Sequence, residues 1–296
     1  MSKPLVQHCL ELLSHLSLPG LYRVGNLLAF VLGNTPNQVS RLARQNIDLC
    51  FPELDRGERR KLYRELIRQT CYALVELGAI WCWPIDRIER RITRIEVCDS
   101  FMQATRGRII LAPHLGSWEM LAVWLGNHVN AMFLYKRRKN KTLDTFVKQA
   151  RSRSGGEPLP TKKPGLRRAL VGLRQGGSLM ILPDQKPSSN KARIESTFFG
   201  LRAPTTTLVQ NLCSKLECDV FIAVVYRSAG GEFNLCIEPL ERARLAGDKV
   251  ESALYMNQQI EQRIGNARGQ YQWEYRRFSN QVYEPLRQAA ASCDPD

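Results

Sequence analysis

The sequence predicts an α/β protein, with a mostly parallel central sheet flanked by helices and preceded by a helical N-terminal region. Three observations carry that expectation. Residues 1–92 hold apolar side chains at helical spacing. From residue 93 onward short apolar runs alternate with segments of helical periodicity, the pattern that builds parallel strands joined by crossover helices. Gly230-Gly231 between the last two runs marks a hairpin, and so one antiparallel pair at the far end of the sheet.

Leu5 to Leu32 is rich in Leu, Val and Phe but interrupted by His8, Glu11, His15, Pro19-Gly20, Arg23 and Asn26. That pattern suits one or two short amphipathic helices, facing either a core or a membrane surface, and not a bilayer span. Asn37 to Ile47 repeats apolar residues at Val39, Leu42, Ala43 and Ile47. Phe51 to Asp55 breaks the chain, and Asp55 is placed to cap a helix over Gly57 to Trp81, whose stripe is Leu62, Leu66, Ile67, Leu74 and Leu77. Trp81, Trp83 and Pro84 close it, the tryptophans serving as core residues or interfacial anchors. Strands are expected at Ile92–Val97, Arg108–Ala112, Ala131–Tyr135, Ser178–Leu182, Val220–Tyr226 and Phe233–Ile237, and helices at 117–126, 142–152, 164–174, 205–217 and 249–265. Ser117 reads as an N-cap, and Ser152 to Pro164 is the most loop-like stretch. The chain divides into a helical region, 1–92, and an α/β region, 93–296, expected to form one compact unit.

With 43 Lys and Arg against 28 Asp and Glu, the 296-residue chain carries a formal charge of +15, which favours anionic partners: nucleic acid, acidic lipid surfaces, phosphorylated substrates or an acidic carrier protein. Lys136 to Arg174 concentrates thirteen basic residues against Asp144 and Glu157. The nine cysteines form no CxxC pair and no zinc-type spacing, so they read as reduced thiols, and neither a signal peptide nor an apolar stretch of membrane-spanning length is present. No G-x-S-x-G elbow, P-loop or G-x-G-x-x-G occurs, which argues against a serine hydrolase and against nucleotide cofactors. The site needs no metal. A nucleic-acid-binding protein is the rival of another class, but helix-turn-helix, RNP-type and zinc-finger patterns are lacking.

The chemistry concentrates at Arg108-Ile-Ile-Leu-Ala-Pro-His-Leu-Gly-Ser-Trp-Glu119, where His114 sits on the turn after a strand and Glu119 in the first turn of the next helix. Residues five apart on a regular helix lie about 140° apart, so the pair can meet only because the histidine is on the turn. Glu119 could then accept the proton of one ring nitrogen and leave the other as a base for a substrate hydroxyl. Two further strand ends carry polar residues, Tyr135-Lys-Arg-Arg-Lys-Asn140 and Pro183-Asp184-Gln185-Lys186. In open α/β sheets, ligands bind outside such carboxyl ends.

These residues resemble the bacterial lysophospholipid acyltransferase superfamily, and within it the late acyltransferases of lipid A biosynthesis. His114-Leu-Gly-Ser-Trp-Glu119 is similar to the first block, with Glu as in the lipid A branch. Tyr135 to Asp144, Gly177 to Gln185, Phe198-Phe199-Gly200 with Ala203-Pro204-Thr205, and Gln272 to Phe278 resemble the later blocks in order and spacing, and Asn46 to Leu54 resembles the segment before them. The resemblance implies transfer of a fatty acyl group from acyl carrier protein, or less often acyl-CoA, to a hydroxyl of an anionic lipid acceptor. A lipid A precursor is the first choice of acceptor, with a lysophospholipid, an aminolipid or another glycolipid as alternatives. His114 and Glu119 would be catalytic, and Tyr135, Lys136, Arg137, Arg138, Asp184, Gln185, Phe199 and Gly200 substrate-binding. Lys136 stands directly after Tyr135, where the family has arginine, which would displace the phosphate- or thioester-contacting cation to Arg137 or Arg138. The resemblance also implies work at the cytoplasmic face of the bacterial inner membrane; the family's membrane enzymes commonly begin with a longer apolar anchor, and the shorter, interrupted run here points instead to peripheral or monotopic attachment through residues 1–92. The motif pattern leaves no cofactor and no nucleic-acid partner expected.

Overall fold

The computed structural model describes residues 5–187 and 189–291. The N-terminal region is helical, as its periodicity predicts: α1 (Leu5–Ser14), α2 (Leu18–Asn34), α3 (Gln38–Cys50) and α4 (Arg56–Cys82). Ser17 caps α2 through the Gly20 amide, Asn37 caps α3 through Ser40, and Asp55 and Glu58 form a reciprocal capping box on α4. The α/β region follows, beginning with the short α5 (Ile85–Glu89), then β1 (Ile92–Val97), α6 (Asp99–Met102), β2 (Gly107–Leu111), α7 (Trp118–His128), β3 (Ala131–Tyr135) and α8 (Lys141–Ser152). It continues through β4 (Glu157–Pro160), α9 (Lys163–Arg174), β5 (Ser178–Ile181), β6 (Arg193–Phe198), β7 (Leu201–Thr206), α10 (Leu208–Cys213), β8 (Cys218–Arg227) and β9 (Phe233–Leu240). The small α11 (Arg242–Ala246), α12 (Lys249–Gly265) and α13 (Asn280–Ala291) complete it.

Seven strands form one sheet in the order β1-β9-β8-β2-β5-β3-β4, parallel throughout except for the antiparallel β8–β9 pair. Both faces are covered, which is why the central strands read as continuous apolar runs. On β2, Ile109 and Leu111 enter one core with Ala169 and Leu173 of α9, while Ile110 enters the other with Met120, Leu121 and Trp124 of α7. The long α4 serves both cores, one through Leu66 and Ile67 and the other through Val75, Ala79 and Ile80.

Four expectations need correction. The loop-like stretch contains β4, a Glu-Pro-Leu-Pro strand on the outer edge; an edge strand needs hydrogen bonds on one side only, so prolines that would break a central strand are tolerated. The helix expected at 205–217 is shorter, α10, because Leu201–Thr206 pairs with Arg193–Phe198 as a separate hairpin. Its two-residue turn is Phe199-Gly200, with φ of 50° and 73°. A phenylalanine fills the left-handed position where Asn or Gly is the usual signal. It is held there by the hydrogen bond its backbone N–H donates to the Glu261 carboxylate (2.8 Å) and by ring contacts with Phe51 and Trp273. Third, the antiparallel pair lies one strand in from the edge, since β1 adds in parallel outside β9. Finally, Ser117 stands at the start of α7 but makes no capping bond; its hydroxyl turns to Glu76 instead.

The ambiguity over Leu5 to Leu32 resolves into two faces. Leu18, Leu21 and Gly25 of α2 are buried, and Gly25 lies close against Tyr72 and Val75 of α4. The opposite side leaves Leu27, Phe30 and Val31 exposed at 65%, 70% and 53%. Among the described residues no helix is long and apolar enough to cross a membrane. Trp81 and Trp83 are core residues, 8% and 3% exposed.

Candidate active site

His114 and Asp184 meet because of strand register. Parallel β2 and β5 pair Leu111 with Ile181, so residues three beyond each strand end, 114 and 184, face each other at the carboxyl edge of the sheet. The Asp184 carboxylate accepts from the His114 backbone amide and from Nδ1, both at 2.8 Å. On the other side of the ring the Gln185 amide nitrogen lies 3.2 Å from Nε2 and donates to Gln272 Oε1 at 3.0 Å. The tautomer that satisfies both neighbours carries its proton on Nδ1 and leaves the Nε2 lone pair toward Gln185. Trp118 packs edge-on against the imidazole.

The turn carrying His114 is pinned from both sides. The His114 carbonyl accepts from the Gln272 amide, the Gly116 amide donates to Gln270 and the Ser117 amide donates to Val225. Gly116 has φ of 63°, and a Cβ there would fall 2.1 Å from the Val225 carbonyl oxygen, so only glycine lets the turn approach β8 this closely. Asn46 of α3 holds the facing segment by donating to the carbonyls of Trp273 (2.5 Å) and Tyr275 (2.9 Å).

Glu119 lies elsewhere than expected. Its carboxylate accepts from the Trp81 indole at 3.1 Å and from Arg151 Nε at 3.1 Å, with a second Arg151 contact through the other oxygen, and it makes no hydrogen bond to His114. Burial opposes ionisation of Glu119, but the charge and hydrogen bonds of Arg151, the Trp81 bond and the charge of His114 outweigh it and hold the carboxyl below its ordinary range. For Asp184 burial is likewise opposed and outweighed, here by His114, so this carboxyl is also held low. Tyr271 behaves oppositely: burial and then the adjacent Asp184 carboxylate keep its hydroxyl protonated.

The remaining predicted residues divide. Tyr135 is buried and lies close enough to Arg151 to interact with it electrostatically, and Lys136, Arg137 and Arg138 are exposed. Tyr135 and Arg137 line a groove of about 480 Å³ with Asp144 and Lys148 of α8. Phe199 and Gly200 form the hairpin tip described above. Arg277 ties that hairpin to α12, bonding to the Pro204 carbonyl (2.5 Å), Thr205 (2.9 Å) and Asn257 (3.2 Å). Among the described residues no group of His, Cys, Asp or Glu could hold a metal ion, and the eight described cysteines are unpaired.

Sequence reasoning missed Trp81, Arg151 and Gln272 as site residues. Arg151 did carry a signal: it is four residues past Val147, beside Ala150, on the apolar face of α8, and a cation there requires a buried partner.

The profile of the family described as bacterial lipid A biosynthesis acyltransferase matches residues 4–280. The chain belongs to that family. The acyltransferase is 30% identical over 242 residues to the lipid A biosynthesis palmitoleoyltransferase of Escherichia coli K12, covering 80% of this chain and 78% of that protein. To the lauroyltransferase of the same organism it is 26% identical over 272 residues, covering 91% and 88%, and to the myristoyltransferase 24% over 264 residues, covering 86% and 78%.

Arg151→Met in this acyltransferase is expected to strand a buried carboxylate, raise the Glu119 pKa and destabilise the fold by about 3–5 kcal/mol. Since the folded-state pKa of Glu119 is depressed, the stability it contributes is present above the unfolded value near ~4.3 and disappears as pH falls through the folded one. Thermal melts should therefore separate parent and variant widely at neutral pH and converge in acid.

Proposed function

We propose that the protein moves a fatty acyl group from acyl carrier protein, with acyl-CoA as the secondary donor, to a hydroxyl of a lipid A precursor. The observation that carries this reading is the imidazole of His114, fixed through Nδ1 on buried Asp184 with Nε2 directed at Gln185, in a chain of the lipid A acyltransferase family. The acceptor hydroxyl takes the place of the Gln185 amide at Nε2 and gives up its proton there while its oxygen attacks the thioester carbonyl. The C–S bond then breaks, and the departing thiolate takes the proton from the imidazolium. Asp184 favours the charged ring by direct contact. Glu119, kept ionised by Arg151 and Trp81, favours it through space as the second half of a His/Glu dyad. The Gln185 amide, the donor nearest Nε2, is freed to reach the oxyanion.

The acidic carrier and the phosphates of the acceptor suit the basic run from Lys136, of which Arg137 faces the groove beside Tyr135. The acyl donor is aqueous and the acceptor is a lipid, so the enzyme works peripherally or monotopically at the cytoplasmic face of the inner membrane, its exposed α1 and α2 side chains at the surface.

Incubating the purified protein with acyl-acyl carrier protein and a lipid A precursor should yield, by mass spectrometry, a product heavier by one fatty acid less one water. Acylation of a lysophospholipid in the same mixture, with the lipid A precursor untouched, would overturn the acceptor assignment.

A further inference from the structure

We propose that the groove enclosed by α2, α3 and α4 binds the phosphate of an anionic phospholipid headgroup and thereby seats the protein on an acidic bilayer. The groove is about 880 Å³ and is lined by Arg44, Arg56, Arg59, Arg60, Arg64 and Arg68, against Asp48 as its one acidic lining residue. Asp48 is engaged with Arg59 at 3.4 Å and Arg68 pairs with Glu65 at 3.1 Å, but Arg56, Arg60 and Arg64 have no acidic partner among the described residues. Six arginines converging on one concavity repel each other unless an anion occupies it.

Two residues that line the groove also carry buried donors without a partner. Tyr63 is 6% exposed, lies under the Arg44 guanidinium at 4.3 Å, and its buried hydroxyl has no hydrogen-bond partner. The buried Nε of Arg59 is likewise unpartnered. Buried donors are ordinarily satisfied. A phosphate offers several acceptor oxygens at once and matches the forked geometry of arginine.

The apolar surroundings identify the phosphate as a lipid's. Phe30 and Ala29 line the groove, and Phe30 continues along α2 into exposed Leu27 and Val31. An acidic protein docked on the arginines would leave that ridge in water. A bilayer accepts both, the ridge at the acyl boundary and the arginines among the headgroups, and two such signals together give firm attachment. The groove is distinct from the acyl-transfer centre: Arg64 precedes Trp81, the indole that contacts Glu119, by on the order of 25 Å along α4 at 1.5 Å per residue. The inference rests on the membrane location proposed above and not on the acyl-transfer chemistry.

Cosedimentation of the full chain with vesicles of phosphatidylcholine, alone or mixed with phosphatidylglycerol, tests it. The parent should prefer the acidic vesicles by roughly tenfold or more, and Arg60→Glu/Arg64→Glu, at exposed positions, should erase that preference. Tyr63→Phe, which keeps the ring and removes the orphan donor, should weaken acidic-vesicle binding by about fivefold. Turnover of a detergent-dispersed acceptor should stay within about twofold in the double variant. An undiminished preference in the double variant would overturn the proposal, as would unchanged vesicle binding with a raised KM for acyl-acyl carrier protein, which would assign the groove to an acidic protein. His114→Ala should bind acidic vesicles like the parent whatever its effect on catalysis, so the two readings fail separately.

Discussion

His114→Ala is expected to lower kcat/KM for acyl transfer by about 10²–10⁴, the range a positioned general base supplies, with the fold intact. The imidazole is 14% exposed at a strand-end turn, and its main-chain bonds to Asp184 and Gln272 survive the truncation. Asp184→Asn should cost a comparable factor by a different route. Its amide can still accept from Nδ1, but the negative charge that favours the imidazolium is gone, and the amide can equally present its NH₂ and impose the other tautomer. Glu119→Gln removes charge without touching either ring nitrogen, so its loss should be smaller than that of Asp184→Asn. The reverse ranking, measured in single turnovers, would return the principal role to the His/Glu pair. Both carboxyls are held below the ordinary range, so neither takes up a proton as pH falls from 7 to about 5. Any activity lost over that interval belongs to another group and should persist in Asp184→Asn.

How far the sequence reveals this site depends on which interactions are local. The His114 turn, the Asp55 cap of α4, the strand before the turn and the polar strand ends follow from spacing within a few residues, and the structure has each of them. The partner of the imidazole does not. Asp184 reaches His114 only because β5 lies directly beside β2 while β3, which comes between them in sequence, is placed outside β5. Chain order carries no mark of that crossover. Glu119, five residues from His114, is the partner that local spacing suggests, yet its bonds come from α4 and α8, through Trp81 and Arg151. The β6–β7 hairpin was hidden for a related reason, since Phe199 accepts a left-handed backbone that only the distant Glu261, Phe51 and Trp273 make tolerable.

Glu76→Gln is expected to be, with Arg151→Met, among the most destabilising single substitutions outside the hydrophobic core. Glu76 is fully buried on α4 and receives both arms of Arg227 at 2.7 and 2.8 Å, the Tyr22 hydroxyl at 2.7 Å and the Ser117 hydroxyl at 3.3 Å. Burial works against the Arg227 guanidinium, but Glu76 outweighs it and keeps the group charged. Removing the carboxylate charge leaves that cation buried without compensation, which costs about 3–5 kcal/mol, or at ~2–4 °C per kcal/mol a melting temperature lower by roughly 6–20 °C. The network also joins the surface helix α2 to the catalytic turn: Tyr22 belongs to α2, Ser117 follows His114 by three residues, and the Arg227 main chain exchanges two bonds of 2.9 Å with the side chain of Gln270, the residue whose backbone carbonyl accepts from Gly116. Replacing both ions, Glu76→Leu with Arg227→Met, separates the two roles. Apolar groups of similar size need no counter-charge, so most of the lost melting temperature should return. Ser117 and Tyr22 would still lack their acceptor, and kcat should stay depressed at a temperature where the double variant is fully folded. If kcat recovers together with stability, the pair serves the fold alone and the turn is positioned by its main-chain bonds to Val225, Gln270 and Gln272.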